Sequence, residues 1–571
     1  VRNHSCRAER DPRPKGAGSA PLRGPGTMSA VPHRSRRLEP LDWLVIALPA
    51  ALAAMLCAWK LSTRSLWLDE GASVSIASQH GDKLWSAIAH DGGNMLIYYL
   101  ALHVVISLFG DGETALRMIS LLSDVVTAGL VGALALALFA SRGVALVAGV
   151  LTAVSVGLVF WGQDARGYAA MVTAATASFY ALVVLLQSEP RYPPPALAVI
   201  GYVLATALSL YLGFDAVLLI PAQLLIALML HRRLSVLIGA LVLVAALCVP
   251  LVVLAVDRGS GQLFWVPPLS VTVLWQTLST LVSSGLPPNF HTTVVTEIGA
   301  GVFSGAGLCA LVLAWRSRWE DERAALVLVP VLWLLTPLVL GVLAAAVGEP
   351  VELARISILM MPALSLLLAW LCVGPRDGLA AVPGRLGGPS VSLSLGLGLL
   401  GVILALRLAV LIPSYGATPE PWKQVAARVL AGARPTDCVA FYPQDGRMPF
   451  GYYVQQTPGA QGQTPGARGR APGARGRAPR PLLPVESWAS RTPHVEQYDV
   501  PAAAGISGLT RGCGRVWLLS SHQGQRHGTA ISRRNYAGYE AIQRELSGVY
   551  SHRTVARYGY AARITVFLYT R

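Results

Sequence analysis

The sequence predicts a polytopic α-helical membrane protein with a small C-terminal α/β domain outside the bilayer. Three observations carry that prediction. Of 571 residues, 53% are hydrophobic and only 13% charged, against about 25% charged in an ordinary soluble domain. The apolar residues gather in blocks of about 17–25, the length that crosses a bilayer as a helix. After about residue 413 the blocks give way to short runs with strand-like and helix-like periods. A disordered chain and a single soluble globule are both excluded.

Residues 1–40 read as a disordered cytoplasmic tail, with Met28 an alternative start to Val1. The apolar stretch beginning near Leu41 is long enough to span rather than to be a cleaved signal. The membrane domain covers 41–412. Its spans fall at 42–60, 115–139, 143–162, 168–187, 195–214, 216–230, 234–256, 298–315, 325–347, 353–373 and 390–412, with 94–109 ambiguous. This gives about 11–13 transmembrane helices.

Arg34, Arg36 and Arg37 and the loops His231–Arg233, Arg316–Arg323 and Arg376–Arg385 read as cytoplasmic. The N-terminus is then inside. Residues 61–92, Trp161–Tyr168, 257–297, Gly348–Arg355 and everything after about Pro413 are outside. Parity makes 94–109 a partly inserted segment. Trp67 and Trp85, among spaced apolar residues, suit a helix lying in the interface at 61–92. Loop 257–297 mixes Trp265, Trp275 and Pro pairs in a similar way.

The outer domain, 413–571, reads as a helix at 421–432, strands at Asp437–Tyr442 and 514–520, a helix at 536–550 and two strand-like runs in 554–570. A low-complexity insertion at 456–484, where TPGA and APGARGR recur, interrupts it as a flexible loop. The net charge of +16 does not signal nucleic acid. Twelve of the sixteen excess charges lie in 1–37 and 456–484, which cannot pack a core. Seven cysteines without a CxxC give no zinc or redox motif. Cys57, Cys248, Cys309 and Cys372 read as small core residues. Cys438 and Cys513 lie beside predicted strands; a disulfide in an oxidising compartment and two free thiols are the alternatives.

Four clusters could carry chemistry. Asp69-Glu70, in Leu66-Trp67-Leu68-Asp69-Glu70, puts two carboxylates at the membrane face, either as a general base or as an interfacial charge pair. His90-Asp91-Gly92-Gly93-Asn94 with Tyr98-Tyr99 suits a sugar or a divalent cation, or else a helix cap with turn glycines. Gln163-Asp164-Ala165-Arg166-Gly167-Tyr168 offers a guanidinium for a phosphate, or a solvated turn. Arg355 enters an apolar helix and needs a partner, either a lipid phosphate or Glu349 or Glu352.

Together these residues resemble the GT-C superfamily of polytopic glycosyltransferases. The nearest branch is the family-39-like one, which includes protein mannosyltransferases and lipid A aminoarabinose transferases. The resemblance covers about 42–455, and each motif is loose. In order come Asp69-Glu70, His90–Tyr99, Phe109-Gly110-Asp111-Gly112-Glu113-Thr114-Ala115-Leu116-Arg117, Gln163–Tyr168, Arg355–Pro362 and Pro421-Trp422.

The resemblance implies an inverting transfer from a polyprenyl-phosphate sugar, mannose first, with arabinofuranose as a variant. Asp69 would be the base. Arg166 and Arg355 would hold the donor phosphate, with Asp164 or Glu70 orienting substrate. His90, Asp91 and Tyr168 join the candidate substrate-binding set. The acceptor would be a cell-envelope glycan, glycolipid or protein, and the enzyme would work among membrane lipids at the outer face of the cytoplasmic membrane. A cofactor is not assigned; a divalent cation is compatible with the family. Two departures stand out: HDGGN replaces the family's Pro-containing turn, and Tyr211–Asp215 lacks a His-Tyr often found there. The rival readings are a non-catalytic envelope assembly protein of the same fold and a transporter of lipid-linked substrates, which would need ionisable residues near the midplane.

Overall fold

The computed structural model describes residues 39–189, 192–258, 266–282, 294–317, 325–374, 389–418, 420–458, 478–482, 510–527, 530–559 and 563–571. The predicted tail up to residue 38, all of the 376–385 loop, much of loop 257–297 and most of the insertion 456–484 lie outside the described residues.

Among the described residues, seven helices are long and apolar enough to cross a membrane. They are α1 (Pro40–Ala58), α5 (Glu113–Phe139), α8 (Tyr168–Gln187), Val294–Arg316, Leu328–Ala346, Leu353–Val373 and Leu393–Ser414. Between α1 and α5 come α2 (Leu68–Ala77), α3 (Asp82–His90) and α4 (Leu96–Phe109). The predicted span 143–162 is two helices, α6 (Arg142–Ala153) and α7 (Val156–Gly162), bent by 59°. Likewise 234–256 splits into Leu234–Leu247 and Val249–Arg258, bent by 54°. Counting each pair as one span gives nine. Two other predicted spans, and the ambiguous segment 94–109, are shorter helices: Ala196–Leu212, Phe214–Met229 and α4. The 14 residues of α4 rise only about 21 Å, less than the hydrocarbon thickness, as a partly inserted segment would. The chain is a polytopic helical membrane protein with a small C-terminal sheet domain.

α8 is the most enclosed of the early helices, packing against α5 and Ala196–Leu212. Its Phe179 stacks on Trp333 at 3.9 Å. Asp124 and Arg407 lie well inside the predicted spans 115–139 and 390–412, where the sequence reading singled out neither. Asp124 of α5 is buried and accepts a hydrogen bond from Cys57 Sγ at 3.0 Å. Arg407 is buried over the Phe303 ring and donates to the Leu151 carbonyl. Cys57, Cys248 and Cys372 are buried as expected, but Cys309 is exposed, on a helix side that a bilayer would cover.

The C-terminal domain, the outer domain of the sequence reading, is a five-stranded sheet of order β2-β1-β3-β5-β4, built from β1 (Asp437–Tyr442), β2 (Arg480–Pro481), β3 (Arg515–Ser520), β4 (His552–Tyr558) and β5 (Ile564–Thr570). β1 runs parallel to β2 and β3; β5 runs antiparallel to β3 and β4. β2 is the described end of the interrupting stretch. Alternation along the strands makes two apolar faces. Val439, Phe441, Trp517, Leu519 and Val566 join Trp422, Val425 and Phe450 in the core continuous with the membrane helices. Cys438, Tyr442, Val516, Leu518 and Phe567 pack under Tyr539, Ile542 and Leu546 of helix Ala530–Val549. Cys438 and Cys513 are joined by a disulfide on that second face, Cα–Cα 5.6 Å.

Candidate active site

The segment after α1 is clamped from three sides, and the clamp aims Asp69. From α5, Arg117 donates to the carbonyls of Leu61 (2.6 Å) and Arg64 (3.1 Å) and grips Glu70 with two bonds, 2.8 and 2.9 Å. From the turn between α7 and α8, Gln163 Nε2 donates to the carbonyls of Cys57 and Trp59, and the Ala165 N–H donates to Glu70 Oε1 at 2.8 Å. Asp164 Oδ1 accepts from Trp67 Nε1 at 2.7 Å. From the outer domain, Tyr453 Oη accepts from the Leu66 N–H (2.6 Å), Glu420 from the Leu68 N–H (3.2 Å), and Ser65 Oγ from the Lys423 N–H (3.0 Å). Helix Arg447–Gln456 packs so closely on α2 that a Cβ at Gly71 would lie 2.8 Å from Pro449.

Asp69 stands in the first turn of α2 with 22% of its side chain exposed. Its Oδ2 is 3.3 Å from Arg355 Nη2 and 3.8 Å from Arg166 Nη2. Oδ2 accepts no aligned hydrogen bond among the described residues, so these contacts are ionic. Arg355 also binds Glu352 (2.6 Å) and donates to the Tyr168 hydroxyl (2.7 Å). Arg166 donates to the Tyr99 hydroxyl (3.2 Å), which donates to Asp91 Oδ2 (2.8 Å). Arg166 Nε is buried without an acceptor among the described residues.

The structure thus brings Asp69, Arg166, Arg355, Tyr168 and Asp91 into one connected cluster. Glu70 and Asp164 lie behind it. Burial alone would raise Glu70, but the Arg117 charge and its hydrogen bonds overcome that and hold it below the ordinary carboxylate range. Burial, then the Glu70 charge, push Asp164 well up. The Gln163–Tyr168 turn is buried, which removes the solvated-turn alternative. Glu352 is pushed to about 7 by burial against the opposing Arg355 charge, and Asp91 to about 6 by burial against Arg166.

His90 is half-buried at the end of α3, next to Asp91. The glycines after it have a cause. Gly92 and Gly93 have φ of +71° and +75°, and a Cβ on either would lie 2.9 Å from Arg258 or Leu254. The close approach of helix Val249–Arg258 therefore accounts for HDGGN. Among the described residues no group of three or more His, Cys, Asp and Glu is arranged to hold a metal ion.

Sequence reasoning missed Glu420, Asp445 and Tyr453 as parts of the site. Arg117 was visible only as the last residue of a motif. An isolated acid or tyrosine carries no spacing signal. Helix Arg447–Gln456, with Pro449 inside it, carries little helix signal.

No protein-family model matches the chain, and no curated protein matches it. Among solved structures, ArnT from Cupriavidus metallidurans in the apo state has a TM-score of 0.52 at 15% identity, over 92% of this chain and 97% of that one. The same ArnT bound to undecaprenyl phosphate gives 0.48 at 14% identity, over 93% and 98%. The archaeal oligosaccharyltransferase AglB from Archaeoglobus fulgidus, in complex with an inhibitory peptide and a dolichol-phosphate, gives 0.45 at 11%, over 84% and 69%. On the apo ArnT likeness, the chain has the GT-C fold.

Proposed function

We propose that this chain is a membrane glycosyltransferase that moves a sugar from a polyprenyl-phosphate donor to a hydroxyl of a cell-envelope glycan, lipid or protein. The observation that carries the proposal is one carboxylate, Asp69, set within 4 Å of two guanidiniums, Arg355 and Arg166, at the ends of membrane helices. Such a site suits a lipid phosphate leaving group, because cations must meet the negative charge that develops on it.

The geometry suggests an exchange. In the free protein Arg355 and Arg166 are balanced by Asp69, Glu352 and, through Tyr99, Asp91. A donor phosphate takes over the guanidiniums and frees the Asp69 carboxylate. Asp69 then accepts the proton of the acceptor hydroxyl as that oxygen attacks the anomeric carbon. The bond from that carbon to the phosphate oxygen breaks, and a single displacement inverts the centre. Glu70 and Asp164 hold the segment that aims Asp69. ArnT from Cupriavidus metallidurans, whose apo form supplies the fold likeness, has been seen with undecaprenyl phosphate, and we take that class of carrier as the donor here. Mannose is the first sugar to test and arabinofuranose the second.

The disulfide in the outer domain supports an oxidising compartment for that domain. With the arginine-rich loops inside, it supports a site on the outer face of the cytoplasmic membrane. The test is transfer from radiolabelled polyprenyl-phosphate-mannose in membranes expressing wild type or Asp69→Asn. Transfer lost only in the variant, at equal protein level, supports the reading. Equal transfer in both removes Asp69 as base. No transfer from this donor or its arabinofuranosyl counterpart favours a non-catalytic assembly role.

A further inference from the structure

The outer domain sets two carboxylates close enough to Asp69 to feel its charge, Glu420 and Asp445. Glu420 is accounted for. It accepts from the Leu68 N–H and, at 2.6 Å, from Trp422 Nε1, and lies 3.6 Å from His522 Nε2. Those bonds hold the start of α2.

Asp445 has no such duty. It lies in the turn Gln444–Gly446, between β1 and helix Arg447–Gln456, and is 7% exposed. Its carboxylate makes no hydrogen bond and no ion pair within 4 Å among the described residues. The charges it feels are those of Arg447, which favours ionisation, and Asp69, which opposes it. Neither of its oxygens is among the fully enclosed, unpartnered atoms of the described residues, so the carboxyl of this otherwise buried residue reaches an opening, where a ligand hydroxyl can take the place of water. The turn cannot easily swing away. A Cβ at Gly446 would lie 2.7 Å from the Trp422 ring, and the turn packs against α2.

Charge is therefore divided around Asp69. The side formed by membrane helices carries guanidiniums from Arg166 and Arg355. The side formed by the outer domain carries the Asp445 carboxyl, which has no protein partner among the described residues and opens to solvent. The first suits a donor phosphate; the second repels phosphate and suits hydroxyl groups. Resting on the function proposed above, we infer that Asp445 is an acceptor-binding residue. It hydrogen-bonds a second hydroxyl of the acceptor while the first hydroxyl is deprotonated by Asp69. The acceptor class is accordingly a polyol, a glycan or glycoside, rather than a molecule offering one hydroxyl. During transfer the bond from the anomeric carbon to phosphate breaks, the bond to the acceptor oxygen forms, and the acceptor proton moves to Asp69. Asp445 undergoes no net change. Selectivity follows because an acceptor without the second hydroxyl displaces water from Asp445 without replacing its hydrogen bond.

The test uses the purified full-length protein in lipid nanodiscs, with undecaprenyl-phosphate-mannose or its arabinofuranosyl counterpart as donor. Two probe acceptors are compared, octyl mannoside and octan-1-ol. Asp445→Ala is expected to lower kcat/KM for octyl mannoside about tenfold or more through KM, with the donor KM unchanged. The preference for octyl mannoside over octan-1-ol should collapse. Unchanged octyl mannoside kinetics overturns the inference. So does an equal fall with both acceptors and with donor affinity, which marks a structural role. Should Asp445→Ala fail to fold, Asp445→Asn is read in the same way. Absence of transfer by wild type with both donors instead overturns the proposed function and this inference with it, whereas wild-type transfer with an indifferent Asp445 overturns this inference alone.

Discussion

Asp69 and Arg355 meet at 3.3 Å while the same guanidinium holds Glu352 at 2.6 Å and the Tyr168 hydroxyl at 2.7 Å. The carboxylate that would act as base thus competes with the phosphate that would leave. Asp69→Asn removes the base and the competitor together. Transfer should fall by roughly 10²–10⁴, while undecaprenyl phosphate binds as tightly as to wild type or more tightly. Arg355→Gln should do the reverse to binding, weakening it roughly tenfold to a hundredfold. Titrating both variants with undecaprenyl phosphate decides the matter. Weaker binding by Asp69→Asn would argue against the exchange.

Glu70 is adjacent to Asp69 in sequence but plays a different part. It is 1% exposed and doubly bonded to Arg117, with a third bond from the Ala165 N–H. Breaking a buried pair by removing one charge costs about 3–5 kcal/mol. Glu70→Gln should therefore lower the melting temperature markedly, and transfer should fall with the folded fraction. A variant that melts like wild type but has lost transfer would make Glu70 a catalytic group.

These two neighbours show what the sequence could and could not tell. The membrane class, the C-terminal sheet domain and the cluster of Asp69, Arg166, Arg355 and Tyr168 were legible, because apolar blocks and charged residues at helix ends both leave local patterns. The separate fates of Asp69 and Glu70 were not, because they depend on Arg117 arriving from α5 and on which face of α2 each residue takes. Glu420, Asp445 and Tyr453 reach the site only through the fold of the outer domain, which brings residues more than 300 positions away onto Leu66 and Leu68. The Cys438–Cys513 bridge was one of two alternatives until β1 and β3 were seen to pair in register from Asp437 with Arg515.

That bridge closes a loop spanning 75 positions that contains the whole low-complexity insertion. Loop-closure entropy of that length is worth about 4 kcal/mol. Replacing both cysteines by serine should loosen the sheet domain first. Limited proteolysis of intact and variant protein in nanodiscs is the check, since the membrane helices serve as an internal control. The same domain packs on α2, so transfer should decline in step with its protection. Equal protease resistance of the two proteins would mean that the sheet and its two apolar faces hold the domain unaided.

Burial pushes Asp445 up to about 7, with the Arg447 charge opposing and the Asp69 charge adding to the rise. Burial likewise takes Glu352 to about 7 against Arg355, and Asp91 to about 6 against Arg166 and the Tyr99 hydrogen bond. An unfolded carboxyl titrates near 4. Between about pH 4 and pH 7 the folded protein therefore binds more protons than the unfolded chain, and its stability falls as pH rises through that window. Glu70, held below its ordinary range, contributes with the opposite sign, its stabilisation being lost as pH falls below about 4.5. Asp445→Asn removes one of these opposing groups. At pH 8 the variant should be more stable than wild type by about 1–4 kcal/mol, the upper figure being a full three-unit rise, and the two should converge near pH 4. Melting curves in nanodiscs across that range measure it directly. Parallel curves would show that the Asp445 carboxyl is already satisfied in the folded protein. A more stable variant that has lost its preference for octyl mannoside is the pattern expected of a residue kept for binding at the expense of stability.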